Sequence, residues 1–239
     1  SLRHMIHAAA PCPGDVKHKM IEWWGDAIDE YYAASEGGGT LVSAQEWLTK
    51  PGTVGKAWPI SEIAIFDDEG NRIEEPGVIG TVYMSMQTGD FEYHKDEKKT
   101  KSNRIGKFFT VGDVGFLDED GFLFLRDRKI DMIISGGANI YPAEIENVLL
   151  GHPKVGDAAV FGIPHEDWGE EVKAVIEPAD GVEASDELAA EILEFCSTRL
   201  AKFKTPKSID FTTEMPRDPN GKLYKRKLRD PYWEGREKI

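Results

Sequence analysis

The chain changes character at Arg126–Asn139 (RDRKIDMIISGGAN). Before it lies a β-rich half that closes on FFTVGDVG (Phe108–Gly115), and after it a compact α/β half that ends in PRDPNGKLYKR (Pro216–Arg226). The Asp-Arg-Lys-Ile-Asp run is too charged for a core strand, so the spacing predicts a hinge there. Met132-Ile133-Ile134 reads as a buried strand, and Gly136–Gly137 break it, because glycine tolerates the φ values of tight turns. Asn139-Ile-Tyr-Pro-Ala-Glu is expected to open a helix, with Pro142 in its first turn. Strand, glycine turn and helix start in that order can aim backbone N–H groups at an anion. Taken alone, a plain strand–turn–helix is the better reading of the stretch.

With 239 residues, 40% of them apolar, the chain can bury a core as one large domain or two ordinary ones. Its 43 acids against 29 bases give a net charge of −14, which argues against nucleic acid or an anionic membrane surface as partner. A nucleotide needs only a few local donors and stays possible. The two cysteines, Cys12 and Cys196, have no metal-like spacing and read as reduced thiols. No stretch approaches the roughly 18 apolar residues of a spanning helix. The expected location is cytoplasmic, with peripheral contact to membranes open for reaching a lipid substrate.

Along the chain, Leu2–Ala10 reads as a buried strand. Asp15–Trp24 reads as an amphipathic helix capped by Asp15, with Val16, Met20 and Trp23 or Trp24 inward. Ala27–Ala33 is a short strand or turn, and Ser35–Thr40 (SEGGGT) a loop. From Gly52 to Leu125, short strands such as Glu62–Asp67, Gly80–Met86, Lys107–Thr110 and Gly121–Leu125 alternate with turns, predicting a small barrel or sandwich. Phe91–Arg104 is charged, lacks caps and reads as an exposed loop. Later come helices at Ala143–Leu150 and Asp186–Leu200, and strands at Ala158–Gly162, Glu171–Pro178 and Lys207–Thr212. The fold class is α+β. The expected domains are 1–127, with 51–127 as its β-rich part, a hinge over 128–131, and a mobile domain over 132–239.

Three residues are candidates for chemistry. Lys222 sits in Asp218-Pro-Asn-Gly-Lys222, a turn that carries a lysine away from the domain body and could bring positive charge to a transition state. An ordinary solvated lysine is the alternative, since Arg217, Lys225, Arg226, Lys227 and Arg229 surround it. Asp113 follows a strand between glycines and could accept ribose hydroxyls, or be a plain turn aspartate. Glu36, beside Ser35 and before three glycines, could hold Mg2+ near phosphate, or belong to a flexible acidic loop. His165, Trp23, Trp24 and Cys196 read as surface or packing residues.

Their joint order resembles the adenylate-forming superfamily, specifically the acyl-CoA synthetases. Tyr32-Ala-Ala-Ser35-Glu36, Val111-Gly-Asp113, Asp127-Arg128, Ser135-Gly136-Gly137 and Pro216–Lys222 follow one another with matching gaps, and Arg126–Glu146 is the most specific part. The resemblance implies ATP-dependent activation of a small-molecule carboxylic acid, fatty acid foremost, to acyl-AMP, then transfer to coenzyme A, with Mg2+ as the metal. It implies that Ala9, Ala10 and Pro11 contact the adenine, Tyr32 stacks on it and Ser35 lies by the phosphate. Glu36 would ligate Mg2+, Asp113 and Arg128 would hold the ribose, and Lys222 would act in the first step. Ser135, Gly136 and Gly137 would line the coenzyme A tunnel, with Lys129, Ile130 and Asp131 as the hinge.

Three positions depart from the family pattern. Ala33 stands where glycine is usual, Ser35 where threonine is usual, and Ile130 where Asp or Lys is usual. The family's phosphate loop is absent, so the chain is expected to be the C-terminal portion of such an enzyme and inactive alone. A luciferase-like enzyme, a peptide-synthetase adenylation domain and a non-catalytic nucleotide-binding module are the competing readings. Oligomeric state and the identity of the acid are not legible.

Overall fold

The computed structural model describes residues 3–10, 12–87, 91–219 and 221–235, so Pro11 and Asn220 lie outside the described residues. The chain divides into two compact units, Ser1–Lys129 and Ile130–Ile239. Both are mixed α and β, in curled sheets.

The first unit holds two sheets. Met5–His7 (β1), Ile28–Ala33 (β2), Gly39–Val42 (β3) and Lys56–Ala57 (β4) form one, in that order, with β1 parallel to β2 and the rest antiparallel. The helices Gly14–Trp24 (α1) and Ala44–Thr49 (α2) close a small core on it through Ile21, Ile28, Val42 and Trp47. In α2, Ser43 and Glu46 form a reciprocal capping box that satisfies otherwise orphaned N–H groups.

Two expectations fail here. The strand read over Leu2–Ala10 shrinks to three half-exposed residues, because β1 meets a partner only at β2. In α1 the fully buried side chains are Lys17 and Ile21; Met20 and Trp24 pack on the core as expected, but Val16 and Trp23 are exposed and no side chain caps the start. The cause is electrostatic: the Lys17 ammonium reaches Glu30 on β2 at 2.5 Å and lies over the Trp47 ring, so a cation fills the inward row.

The second sheet contains Ser61–Phe66 (β5), Arg72–Ile73 (β6), Gly80–Met86 (β7), Arg104–Ile105 (β8), Phe108–Phe109 (β9), Asp113–Leu117 (β10) and Leu123–Arg128 (β11). Its order is β11-β10-β7-β5-β6, and β9 joins β7 to β8. All its pairs are antiparallel, and inward residues alternate as a pleat requires, with Val82 and Met84 of β7 meeting Ile63 and Ile65 of β5. The turn signals anticipated this β-rich part.

Phe91–Arg104 is not all loop, since Glu97–Ser102 (α3) is helical. Tertiary anchors replace an apolar stripe there. Phe91 packs edge-on against Phe109 at 4.9 Å, Arg104 covers Phe91 at 4.8 Å, and buried Thr100 donates to the Asp96 carbonyl.

The second unit is one sheet with two covered faces. Ile133–Ser135 (β12), Ala138–Ile140 (β13), Val155–His165 (β14), Gly169–Pro178 (β15) and Ser208–Phe211 (β16) give the order β13-β12-β15-β14, with β16 parallel to β15. Pro142–Leu150 (α4) and Asp186–Ser197 (α5) bury Ile145, Leu149 and Ile192 against Val160, Ala174 and Ile176. The opposite side of β14, through Ala159 and Phe161, meets Met215, Leu223 and Leu228, the last on Lys225–Arg229 (α6). Burial on both sides explains why β14 and β15 read as continuous apolar runs.

Asn139 does not open a helix. It lies in β13, and Gly136 and Gly137, with φ of 57° and 79°, form a two-residue hairpin turn between β12 and β13. The helix starts at Pro142. The cap of α5 is Ser185, whose hydroxyl accepts from the Leu188 amide.

Lys17→Ala strands Glu30 in a nearly buried site and should cost about 3 kcal/mol, whereas Val16→Ala on the same helix should stay within about 0.5 kcal/mol. Urea denaturation of the two variants checks the difference.

Candidate functional site

In the first unit the candidate residues gather where β2, β10 and the end of β11 meet. Asp113 and Arg128 are direct cross-strand partners of the β10–β11 pair, and Arg128 Nε lies 3.5 Å from the Asp113 carboxylate. The Tyr32 hydroxyl on β2 donates to the same carboxylate at 2.6 Å, across 81 residues of sequence. Burial first, and then the Asp113 charge, push the Tyr32 phenol far above its ordinary range. Gly112, with φ of 86°, turns the chain into β10, and its carbonyl accepts from the Lys129 amide at 2.7 Å.

The loop after β2 places Ser35 and Glu36 at its tip, Ser35 exposed and Glu36 half-buried. Gly37 and Gly38 both have positive φ, which favours glycine, and a Cβ on Gly37 would also crowd the Met86 side chain. Ala9 is in the left-handed region at φ 73°, with Ala10 half-buried after it. Such a conformation costs an alanine about 1–2 kcal/mol, a strain typical of backbone shaped for a ligand. Of the hinge residues, the Lys129 ammonium pairs with Asp68 at 2.5 Å, Ile130 is exposed and Asp131 half-buried.

In the second unit the glycine turn is backed by an aromatic ring that sequence reasoning did not single out. The Gly136 amide donates to the Trp168 carbonyl at 2.9 Å, and a Cβ on Gly136 would lie 2.6 Å from the Trp168 ring. Ser135 pairs with Gly169 in the same corner. The strand–turn–helix expected here is replaced by this hairpin, whose turn stands before β13 rather than at a helix start.

Lys222 sits on an exposed hairpin. Asp218 accepts the Gly221 amide through its carbonyl and the Lys222 amide through its carboxylate, at 2.8 and 2.9 Å. The stem is pinned: Arg217 makes a bidentate pair with Asp157 and donates to the Gly221 carbonyl. Beyond it, Lys225 reaches Glu146 at 2.7 Å, and that carboxylate also accepts the Val160 amide. Arg217 and Lys225 are thus structural, not members of a solvated basic cluster. The Lys222 ammonium has no hydrogen bond or ion pair among the described residues.

Two residues outside the sequence reading also touch this chemistry, Trp168 and Tyr93, whose hydroxyl donates to Glu36 at 2.7 Å. A tryptophan between Asp167 and Gly169 carried a weak turn signal; Tyr93, in a stretch read as loop, carried none. Among the described residues no cluster of His, Cys, Asp and Glu suited to a metal occurs, and no helix is long and apolar enough to cross a membrane. Buried Cys196 has its thiol pushed up to about 11 by desolvation.

This is the architecture of an adenylate-forming enzyme. The AMP-binding enzyme family matches residues 1–88, the AMP-binding enzyme C-terminal domain matches residues 144–222, and the chain belongs to this family. It is 39% identical to the long-chain-fatty-acid–CoA ligase FadD13 of Mycobacterium tuberculosis over 96% of this chain and 45% of that protein. It is 34% identical to the fatty acid–[acyl-carrier-protein] ligase ScoC of Streptomyces coeruleorubidus over 98% of this chain and 45% of that protein. The structure of o-succinylbenzoate coenzyme A synthetase (MenE) from Bacillus subtilis, in complex with ATP and magnesium ion, superposes with a TM-score of 0.83 at 32% identity, over 95% of this chain and 46% of that one. The chain thus spans about 45% of the length of these curated relatives.

A phenol that the fold holds protonated adds stability that is fully present below its unfolded pKa of about 10 and is lost as pH rises above it. Stability should therefore fall above about pH 10, and Tyr32→Phe should flatten part of that fall; denaturation midpoints across pH 8–11 measure it. Gly136→Ala should displace the Trp168 ring, read as a shifted tryptophan emission against the parent spectrum.

Proposed function

We propose that this chain is the part of an AMP-forming acid–thiol ligase that binds the nucleotide's base and ribose and supplies the mobile catalytic lysine. The carrying observation is the Tyr32–Asp113–Arg128 set, a hydrogen-bonded carboxylate beside an aromatic ring and a guanidinium in the AMP-binding unit. Tyr32 would stack on the adenine, the Ala9–Ala10–Pro11 backbone would contact its edge, and Asp113 and Arg128 would hold the ribose hydroxyls. Ser35 would lie by the α-phosphate.

In the first step a carboxylate oxygen attacks the α-phosphorus of ATP, and pyrophosphate leaves. Lys222, exposed and unengaged, would place its positive charge against the oxygens where negative charge builds. In the second step the coenzyme A sulfur attacks the acyl carbon, the thiol proton passes to solvent, and AMP leaves. Ser135, Gly136 and Gly137 would then line the path of the pantetheine arm. Residues 128–131, with Lys129, Ile130 and Asp131, would absorb the backbone change that lets 132–239 serve both steps.

Mg2+ fits Glu36: one carboxylate oxygen is engaged by Tyr93 and the other has no hydrogen bond among the described residues. One carboxylate plus substrate phosphates is the usual protein share of such a site. When bound, the ion would screen phosphate charge. The acid is a fatty acid in this reading, supported by the names of FadD13 and ScoC. The name of ScoC also supports a carrier-protein thiol as a second acceptor. The family's phosphate loop is not in this sequence, so the 239 residues alone are expected to be inactive.

In the full-length protein, Lys222→Ala should cut fatty-acid-dependent ATP–pyrophosphate exchange by about 100-fold or more. It should change thioester formation from supplied acyl-AMP by less than about threefold. Equal losses in both half-reactions would contradict the step-one role.

A further inference from the structure

Glu36 is carried by a glycine-rich loop, and no hydrogen bond from that loop to its carboxylate occurs among the described residues. Gly37 and Gly38 follow at φ of 109° and 81°, and the loop's own backbone bonds run from Gly37 to Ala34 and from Ala34 to Gly38. The carboxylate is instead held from outside. Tyr93, 57 residues away in sequence, donates its hydroxyl to Glu36 Oε1 at 2.7 Å.

The tyrosine is firmly mounted. Its ring stands edge-on against Phe91 at 5.2 Å, Phe91 stands edge-on against Phe109 of β9 at 4.9 Å, and the Tyr93 amide donates to the Thr100 hydroxyl at 3.0 Å. A rigid donor thus meets a carboxylate on a glycine-rich tip. It engages one oxygen and leaves Oε2 without a hydrogen bond among the described residues.

We propose that Tyr93 is a positioning residue for the cation site: it fixes the Glu36 carboxylate so that Oε2 is presented to the divalent ion. This rests on the reading of Glu36 as the metal carboxylate. Without the tether the carboxylate must be ordered when the ion binds, so losing it weakens metal affinity. Tyr93 is not among the residues read as contacting nucleotide or acid. Its removal acts on the metal and leaves AMP affinity alone.

The test is Mn2+ binding to the full-length protein in the presence of ATP, followed by the electron paramagnetic resonance of free Mn2+, for the parent, Tyr93→Phe and Glu36→Gln. Tyr93→Phe keeps the ring packing on Phe91, and circular dichroism checks its fold. Its Mn2+ dissociation constant should rise on the order of tenfold, with AMP affinity, measured without metal, within about twofold. Weakened Mn2+ binding in Glu36→Gln with none in Tyr93→Phe overturns the positioning role and leaves Glu36 as ligand. Unchanged Mn2+ binding in Glu36→Gln overturns the ligand reading itself. Equal loss of AMP and Mn2+ affinity in Tyr93→Phe makes the tyrosine a packing residue only and also overturns the proposal.

Discussion

The hydrogen bond from Tyr32 to Asp113 links strands of two different sheets, β2 and β10, at 2.6 Å. A hydrogen bond to a charged acceptor in a partly buried place is among the stronger single contacts a protein makes. It orients the tyrosine ring and the aspartate together, so one contact fixes both side chains. Register does the rest: the tight turn at Asp118–Gly121, where Asp118 accepts the Asp120 and Phe122 amides, sets the pairing of Leu117 with Leu123, and the one-residue bulge between Val114 and Gly115 then brings Asp113 opposite Arg128. A slip by one residue would turn the aspartate to the other face of the sheet.

The second unit relies on a different constraint. β14 is buried on both sides, by α4 and α5 on one and by the segment around Leu223 and Leu228 on the other. The lysine hairpin therefore grows from a covered sheet, pinned by Arg217 to Asp157 and by Lys225 to Glu146. Rigidity at the stem and exposure at the tip suit a side chain that acts at a site it does not permanently occupy.

Much of this was legible in the sequence where local chemistry decides. The α+β class, β7 at Gly80–Met86 and the helix after Pro142 follow from period, turn residues and proline, while Ala27–Ala33, open in the sequence as strand or turn, contains the strand β2. Contacts between distant residues were not legible. Lys17 took an inward row because Glu30 waits 13 residues later, and no hydrophobic period can report that. α3 formed in a charged stretch because Phe91 found Phe109. The Gly136–Gly137 pair looked like a strand-to-helix turn, since three residues of β13 are too short to announce themselves. Of the candidate site, Asp113, Glu36 and Lys222 stand out by flanking glycines and turn residues and Arg128 only through the family resemblance, whereas Tyr93 and Trp168 matter only through partners that folding brings to them.

The most direct measurement is calorimetric titration of the full-length protein with AMP, with Asp113→Ala beside the parent. The account predicts that AMP binds the parent and that the variant loses about tenfold or more in affinity, as expected when charge-assisted bonds to ribose hydroxyls are removed. Equal affinity in the two proteins would contradict the placement of the nucleotide at Tyr32, Asp113 and Arg128.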